Sequence, residues 1–326
     1  MVRVLRCFLP ALLLGACAQT VPPAGGGQLW VGNKGEDTVS VNDLGSGEEL
    51  ARIATTANAP HEIAPSPDQS EVAVVNYGDK LIDIVDTETF EITRTIDLGT
   101  NTRPHGLVWL DDGRIVTTTE GSQAIVEIAA DGTQTTIRTD EDGTHMVAVS
   151  PDGTRAYTTN LGAGTVSMID LEADRLLKTV DAGAGAEGID LSPDGSELWV
   201  SNRSANTVIV YDADDLEQLA TLDVGQFPLR LLISPDGRTA VTSNLVDGSL
   251  TLIDTATRSV RDTIVVAGPK ANSQQVTLLF NSDGSRLYVA ETGTDTVAEV
   301  NMVSGEVLRR FGVGRQGDGL AIVGGP

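Results

Sequence analysis

One short phrase recurs along the 326-residue chain. It reads GTHMVAVSPDG from Gly143 to Gly153, AEGIDLSPDG from Ala186 to Gly195 and PHEIAPSPD from Pro60 to Asp68. The segment after it recurs as well. LWVGN ends at Asn33, VAVVN at Asn76, IVTTTE at Glu120, AYTTN at Asn160, LWVSN at Asn202, AVTSN at Asn244 and LYVAE at Glu291. These seven copies stand 40 to 47 residues apart. A fixed period of this length means one supersecondary unit used repeatedly, each copy too small to bury its apolar residues alone.

Each copy holds four short strands. In the copy from Glu187 they are EGIDLS, ELWVSN, TVIVYD and QLATLDV. Ser192-Pro193-Asp194-Gly195 is a turn, with proline where φ near −65° is wanted and glycine where φ can be positive. Short Val-, Ile- and Thr-rich strands at regular spacing give an all-β fold, and seven small sheets bury both faces when set radially. The expected fold is therefore a seven-bladed β-propeller of four-stranded antiparallel blades over residues 29–326. The chain enters at Leu29 on a second-type strand and ends with DGLAIVGG, a first-type strand. The C-terminal strand is expected to complete the first blade and close the ring, which removes two free edges.

The stretch SPDG-x-x-LWVSN-x-x-x-NTV-x-VYD, Ser192 to Asp212, with a second good copy at Ser150 to Asp170, resembles the YVTN-repeat propellers of surface-layer-type and periplasmic bacterial proteins. The resemblance covers Leu29 to Val323. Departures are Leu110-Asp-Asp-Gly113 and Asn281-Ser-Asp-Gly284 in the turn, and Glu120 and Glu291 at the Asn position. The resemblance speaks for the fold; function must be read from the site.

The N-terminus reads as a targeting segment. Arg3 and Arg6 precede an apolar run that ends in Leu14-Gly15-Ala16-Cys17. The run is too short for a mature membrane span, and the last four residues resemble a bacterial lipobox. Residues 1–16 are expected to be a lipoprotein signal peptide, Cys17 the lipidated residue and residues 17–28 a flexible tether. Ala18 after the cysteine implies, by the habit of such lipoproteins, the outer membrane, facing the periplasm or else the cell surface. With Cys7 removed and Cys17 lipidated, no cysteine of the two is left for a disulfide, a Cys-ligated metal or covalent haem. The formal net charge is −24. Phosphates are repelled by such a chain, so nucleic acid is excluded as a partner and the membrane is met only through the lipid.

Counting back seven residues from each turn aspartate gives one position per blade: His61, His105, His145, Glu187, Leu229, Val276 and, in the closing strand, Asp318. All three histidines of the chain occupy it, in consecutive blades. Strand direction places this position on the face of the Asn turns, at one mouth of the central channel. Alternation puts Leu107, Trp109, Val147, Val149, Ile189 and Leu191 beneath these residues, and Gly106, Val108, Ala148, Gly188 and Asp190 on the opposite side. Three neutral imidazoles and a carboxylate form a candidate first shell for a divalent transition metal such as Zn, Cu, Fe or Ni. Arg103, Asp190, Arg230 and Asp318 are candidates for the mouth or for ligand binding. The first expectation is a lipid-anchored propeller that binds a small-molecule ligand, a metal or a protein partner at this mouth. A metal-dependent hydrolase or lyase, with lactonase-like propellers as the analogy, is the alternative. An accessory subunit of a periplasmic redox system is a third.

Overall fold

In the recurring turn the serine hydroxyl makes two bonds. Ser192 Oγ donates to Asp194 Oδ1 (2.6 Å) and accepts from the N–H of Glu197 (2.9 Å), which starts the next strand. Gly195 takes φ +73°, a conformation open to a residue without Cβ. Asn281, which stands for serine in the seventh copy, makes both bonds with its amide: 2.8 Å to Asp283 and 2.8 Å from Arg286. Here the phrase is a hydrogen-bonding device, and substitutions that preserve the bonds preserve the turn.

The computed structural model describes residues 26–268 and 272–325. The expected signal peptide, Cys17 and the tether up to residue 25 lie outside the described residues. Among the described residues the strands form seven four-stranded antiparallel sheets. Blade one comprises Gly27–Asn33, Thr38–Asp43 and Glu49–Ala54, with Gly317–Gly324 as its innermost strand. Blades two to seven begin at Pro60, Pro104, Thr144, Ala186, Pro228 and Gln275, and each uses four consecutive strands. The first strand starts at Gly27, two residues before the expected boundary, because Gly27 and Gln28 pair with Gly324 and Val323.

The innermost strands pack one against the next around the channel, while the outermost strands, such as Ile92–Asp97, are largely exposed. Apolar side chains collect between blades. Tyr157, Met168 and Ala182 of blade four meet Ile189, Leu198 and Tyr211 of blade five. Tyr288 and Phe311 of blade seven meet Leu29, Val31 and Leu320 of blade one. Every neighbouring pair of blades shares such a cluster, so both faces of each sheet are covered. The apolar layers expected beneath the histidines are among them: Leu107 and Trp109 join the cluster between blades two and three, Val147 and Val149 the next, and Ile189 and Leu191 the one after.

The innermost strands come very close. A Cβ on Gly106 would lie 2.7 Å from the N of Val147, and one on Gly319 would collide with the carbonyl oxygen of His61. Gly319→Ala is therefore expected to destabilise the ring by roughly 1–3 kcal/mol through overpacking. Gly312→Ala, whose Cβ meets nothing within 4 Å, is the control. Urea denaturation midpoints of the two variants check this; equal midpoints would refute the close approach.

Candidate metal centre

Every innermost strand slips its pairing at one place. Register shifts between Pro60 and Ile63, Pro104 and Leu107, Thr144 and Val147, and Ala186 and Ile189. It shifts likewise between Pro228 and Leu231, Gln275 and Leu278, and along the closing strand. Two residues then stand opposite one, which is a β-bulge. The two are the mouth residue and its successor: His61–Glu62, His105–Gly106, His145–Met146, Glu187–Gly188, Leu229–Arg230, Val276–Thr277 and Asp318–Gly319. A bulge suspends alternation, so both residues of a pair can reach the mouth. Strict alternation would have sent Glu62 and Arg230 to the side away from His61 and Glu187.

The bulge frees a backbone N–H, and a hydroxyl on the second strand collects it. Thr118 Oγ1 accepts from Gly106 N (2.7 Å) and donates to the carbonyl of His145 in the next blade (2.5 Å). Thr159 accepts from Met146 N (3.3 Å) and donates to the carbonyl of Glu187 (2.7 Å). Ser243 accepts from Arg230 N (3.0 Å) and donates to the carbonyl of Val276 (2.6 Å). Each such hydroxyl pins the mouth residue of the following blade. Two residues ahead of every mouth residue the backbone is left-handed, at Ala59, Arg103, Gly143, Gly185, Phe227, Gln274 and Gln316. Five of these are not glycine, a conformational cost that the surrounding fold must offset.

At the mouth the three imidazoles lie in a row. Ring centroids are 4.1 Å apart for His61 and His105, and 3.8 Å for His105 and His145, with planes tilted by 47° and 37°. His145 Nε2 lies 2.7 Å from Glu187 Oε1. Arg230 bridges two carboxylates, donating to Glu187 Oε1 and Glu62 Oε1, both at 2.8 Å. Glu62 Oε1 lies 3.5 Å from His61 Nδ1, a contact without a hydrogen bond, which completes the circuit. Arg203 donates to the other oxygen of Glu187 (2.9 Å). Asp318 accepts from Lys34 (2.5 Å) and Thr277 (2.9 Å) and lies 3.4 Å from His61 Nε2. His61, Glu62, His105, His145, Glu187, Arg230 and Asp318 are all buried.

Two features make the circuit a candidate binding site. Nδ1 of each histidine and Nε of Arg230 are buried with no hydrogen-bond partner. Nitrogen atoms left so in a folded interior call for a ligand, an ion or water. Second, His61, Glu62 and His105 each offer a ligand atom, all within 4.8 Å of one another. An ion with bonds near 2.1 Å spaces tetrahedral ligands about 3.4 Å apart, so small side-chain rotations would close the set. This His/His/Glu cluster is consistent with divalent-metal binding. His61 and His105 open on a cavity of about 680 Å³ that Lys34, Tyr77, Arg103 and Arg203 also line.

Electrostatics suit such a site. Burial, and then the charges of His145, His61, Arg230 and Lys34, hold His105 well below the ordinary imidazole value, which keeps it in the neutral, ligating form. Burial alone would raise Glu187, but His145, Arg230 and Arg203 bring it down to about 2. Glu62 is lowered too, Arg230 and His61 outweighing its burial. Against burial, His61, Lys34 and Arg230 hold Asp318 far below the usual carboxylate range.

Of the expected site residues, the structure gathers His61, His105, His145, Glu187, Arg103, Arg230 and Asp318 around one cavity. The compact cluster that could hold a metal joins His61 and His105 to Glu62, which was not among the expected residues, while Glu187 faces His145 and two arginines. Asp190 lies apart from this cavity, between blades five and six, where it accepts from the N–H groups of Leu191 (2.9 Å) and Ile233 (2.7 Å). These two N–H groups are the partners that an inward carboxylate requires. Sequence reading missed Glu62, Lys34, Tyr77, Glu120 and Arg203. Tyr77 packs beside His61 and His105, donates to Glu120 Oε2 (2.5 Å) and lies under the Arg103 guanidinium. The signal for Glu62 was its place directly after His61; the signal for Glu120 was its departure from asparagine.

Comparison with known proteins agrees on the fold. A family model described as the cytochrome D1 heme domain matches residues 109–230. No curated protein matches the chain. Among solved structures, a functionally unknown protein from Desulfotomaculum acetoxidans DSM 771 is similar, with a TM-score of 0.76 and 16% identity over 90% of this chain and 98% of that one. Hydrazine synthase of Kuenenia stuttgartiensis is similar with a TM-score of 0.70 and 17% identity, over 80% of this chain and 89% of that one. At these identities the likeness is one of fold.

Glu187 provides a test of the circuit. Its carboxyl titrates below the ordinary glutamate range when folded, so its pairing stabilises the protein above that range and fades as pH falls toward about 2. Glu187→Gln is expected to lose about 3 kcal/mol at pH 7, and the gap to the wild type should narrow in acid. Urea denaturation at pH 7 and pH 3 measures both; a pH-independent gap would contradict the assignment.

Proposed function

We propose that this protein binds a divalent transition metal at the channel mouth through His61, Glu62 and His105, and that the adjoining cavity takes a small ligand. The observation that supports this most is the set of buried, unpartnered Nδ1 atoms beside a carboxylate within ligand reach. Three protein ligands leave a coordination position open to the cavity, as ligand-binding and catalytic metal sites require. When bound, the ion would act as a Lewis acid toward a carbonyl or water. His145, oriented by Glu187 through Nε2, presents Nδ1 as a base, the feature that supports a hydrolase or lyase. The lipobox-like Leu14–Cys17 supports a lipid anchor in the outer membrane.

The redox-accessory reading draws support from the heme-domain match and from hydrazine synthase among the similar folds. The matched stretch contains His145 but neither His61 nor His105, so it covers only part of the mouth.

Metal content after dialysis against Co(II) or Zn(II), read by mass spectrometry, tests the proposal. The mature wild type should hold about one ion per chain. His105→Ala should weaken binding by more than about 100-fold, beyond the 10–100-fold typical of outer-shell partners. A metal-free wild type, or equal loading of both proteins, would sink it. Cys17→Ser should move the protein from the membrane fraction to the soluble one; unchanged fractionation would refute the anchor.

A further inference from the structure

Four cationic side chains, Lys34, Arg103, Arg203 and Arg230, line the mouth of a chain whose net charge is −24. Each faces a carboxylate: Asp318 at 2.5 Å, Glu120 at 3.0 Å, Glu187 at 2.9 Å, and Glu62 with Glu187 at 2.8 Å. Four cations against four carboxylates leave the mouth neutral while the imidazoles are uncharged. A divalent ion at His61, Glu62 and His105 would add two positive charges to this buried circuit. Uncompensated charge is costly there. The ion would also draw on Glu62, whose oxygen now accepts from Arg230. Arg230 Nε already has no partner, so a second guanidinium N–H would be left bare beside the ion.

We infer that the metal is taken up together with a small oxyanion, a carboxylate or its like, that bridges the ion and the Arg230 guanidinium. This rests on the metal reading above and names the class of ligand that completes it. One oxygen fills the open coordination position, and another accepts from the guanidinium fork, whose planar donors match an oxyanion. The ligand restores the charge balance that the ion disturbs. The cationic rim also favours entry of an anion into an otherwise acidic molecule. Metal and oxyanion therefore bind cooperatively.

The experiment titrates the mature wild-type protein with Co(II), followed by its visible absorption, in sodium acetate and in sodium chloride at equal ionic strength. Acetate is expected to tighten Co(II) binding at least ~10-fold, and Co(II) to tighten acetate binding by the same factor. Arg230→Lys keeps the charge but loses the fork; it should still bind Co(II) with the acetate effect reduced to within about twofold. Arg238→Gln, in the turn on the far face, should behave as wild type. If Arg230→Lys does not fold, relaxation of ¹³C-acetate by Co(II) in the wild type decides, with saturable enhancement expected. No acetate effect in the wild type, an undiminished effect in Arg230→Lys, or no relaxation enhancement would overturn the inference while leaving the metal reading standing. No Co(II) binding in either salt would overturn both.

Discussion

Closure of the wheel depends on one strand pair, Gly27–Asn33 against Gly317–Gly324. Six blades are made of consecutive strands; the first takes its innermost strand from the far end of the chain. That pair brings Leu320 to Tyr288 and Phe311 and so creates the interface between blades seven and one. It also sets Asp318 against Lys34 and His61. The apolar sealing of the ring and the charge balance of the mouth thus rest on the same long-range contact. Contacts this distant in sequence form late and slowly in folding, so the mouth should be among the last parts to assemble.

The mouth resolves a conflict between burial and charge. Seven polar or charged side chains sit there nearly out of water, a costly arrangement unless each finds a partner. The chain meets the cost by setting the Arg230 guanidinium between two carboxylates, each of which faces an imidazole. The histidine row closes the circle by ring-to-ring contact instead of hydrogen bonds. That leaves three ring nitrogens uncommitted, and the circle is therefore both a rigid frame and an unfinished one.

Much of this was legible in the sequence, for physical reasons. The turn phrase is local chemistry, so Ser-Pro-Asp-Gly marks every blade it occurs in, and the period gives the blade count. The common phase of His61, His105, His145 and Glu187 places them at one mouth because strands of equal length in equal blades end at one level. Glu62 was hidden by the bulge, which overrides the two-residue period from which its side would be read. Glu120 was hidden by the company it keeps. At its position Asn160 and Asn202 bond within their own blades, and Glu291 is held by Arg310, whereas Glu120 reaches across to Tyr77. Glu120 leaves its blade where Glu291 does not, and sequence alone does not show which departure will do so.

The hydroxyl stitch has a consequence for how such a rim diversifies. Thr118, Thr159, Ser201 and Ser243 grip the main chain of the neighbouring blade, not its side chain. What stands at the gripped position is then indifferent to the grip: histidine, glutamate, leucine and valine all occur there. Scaffold and chemistry are uncoupled at that atom. The rim behaves as a ring of interchangeable sockets, and the same wheel can be refitted for a different guest by rewriting a handful of letters.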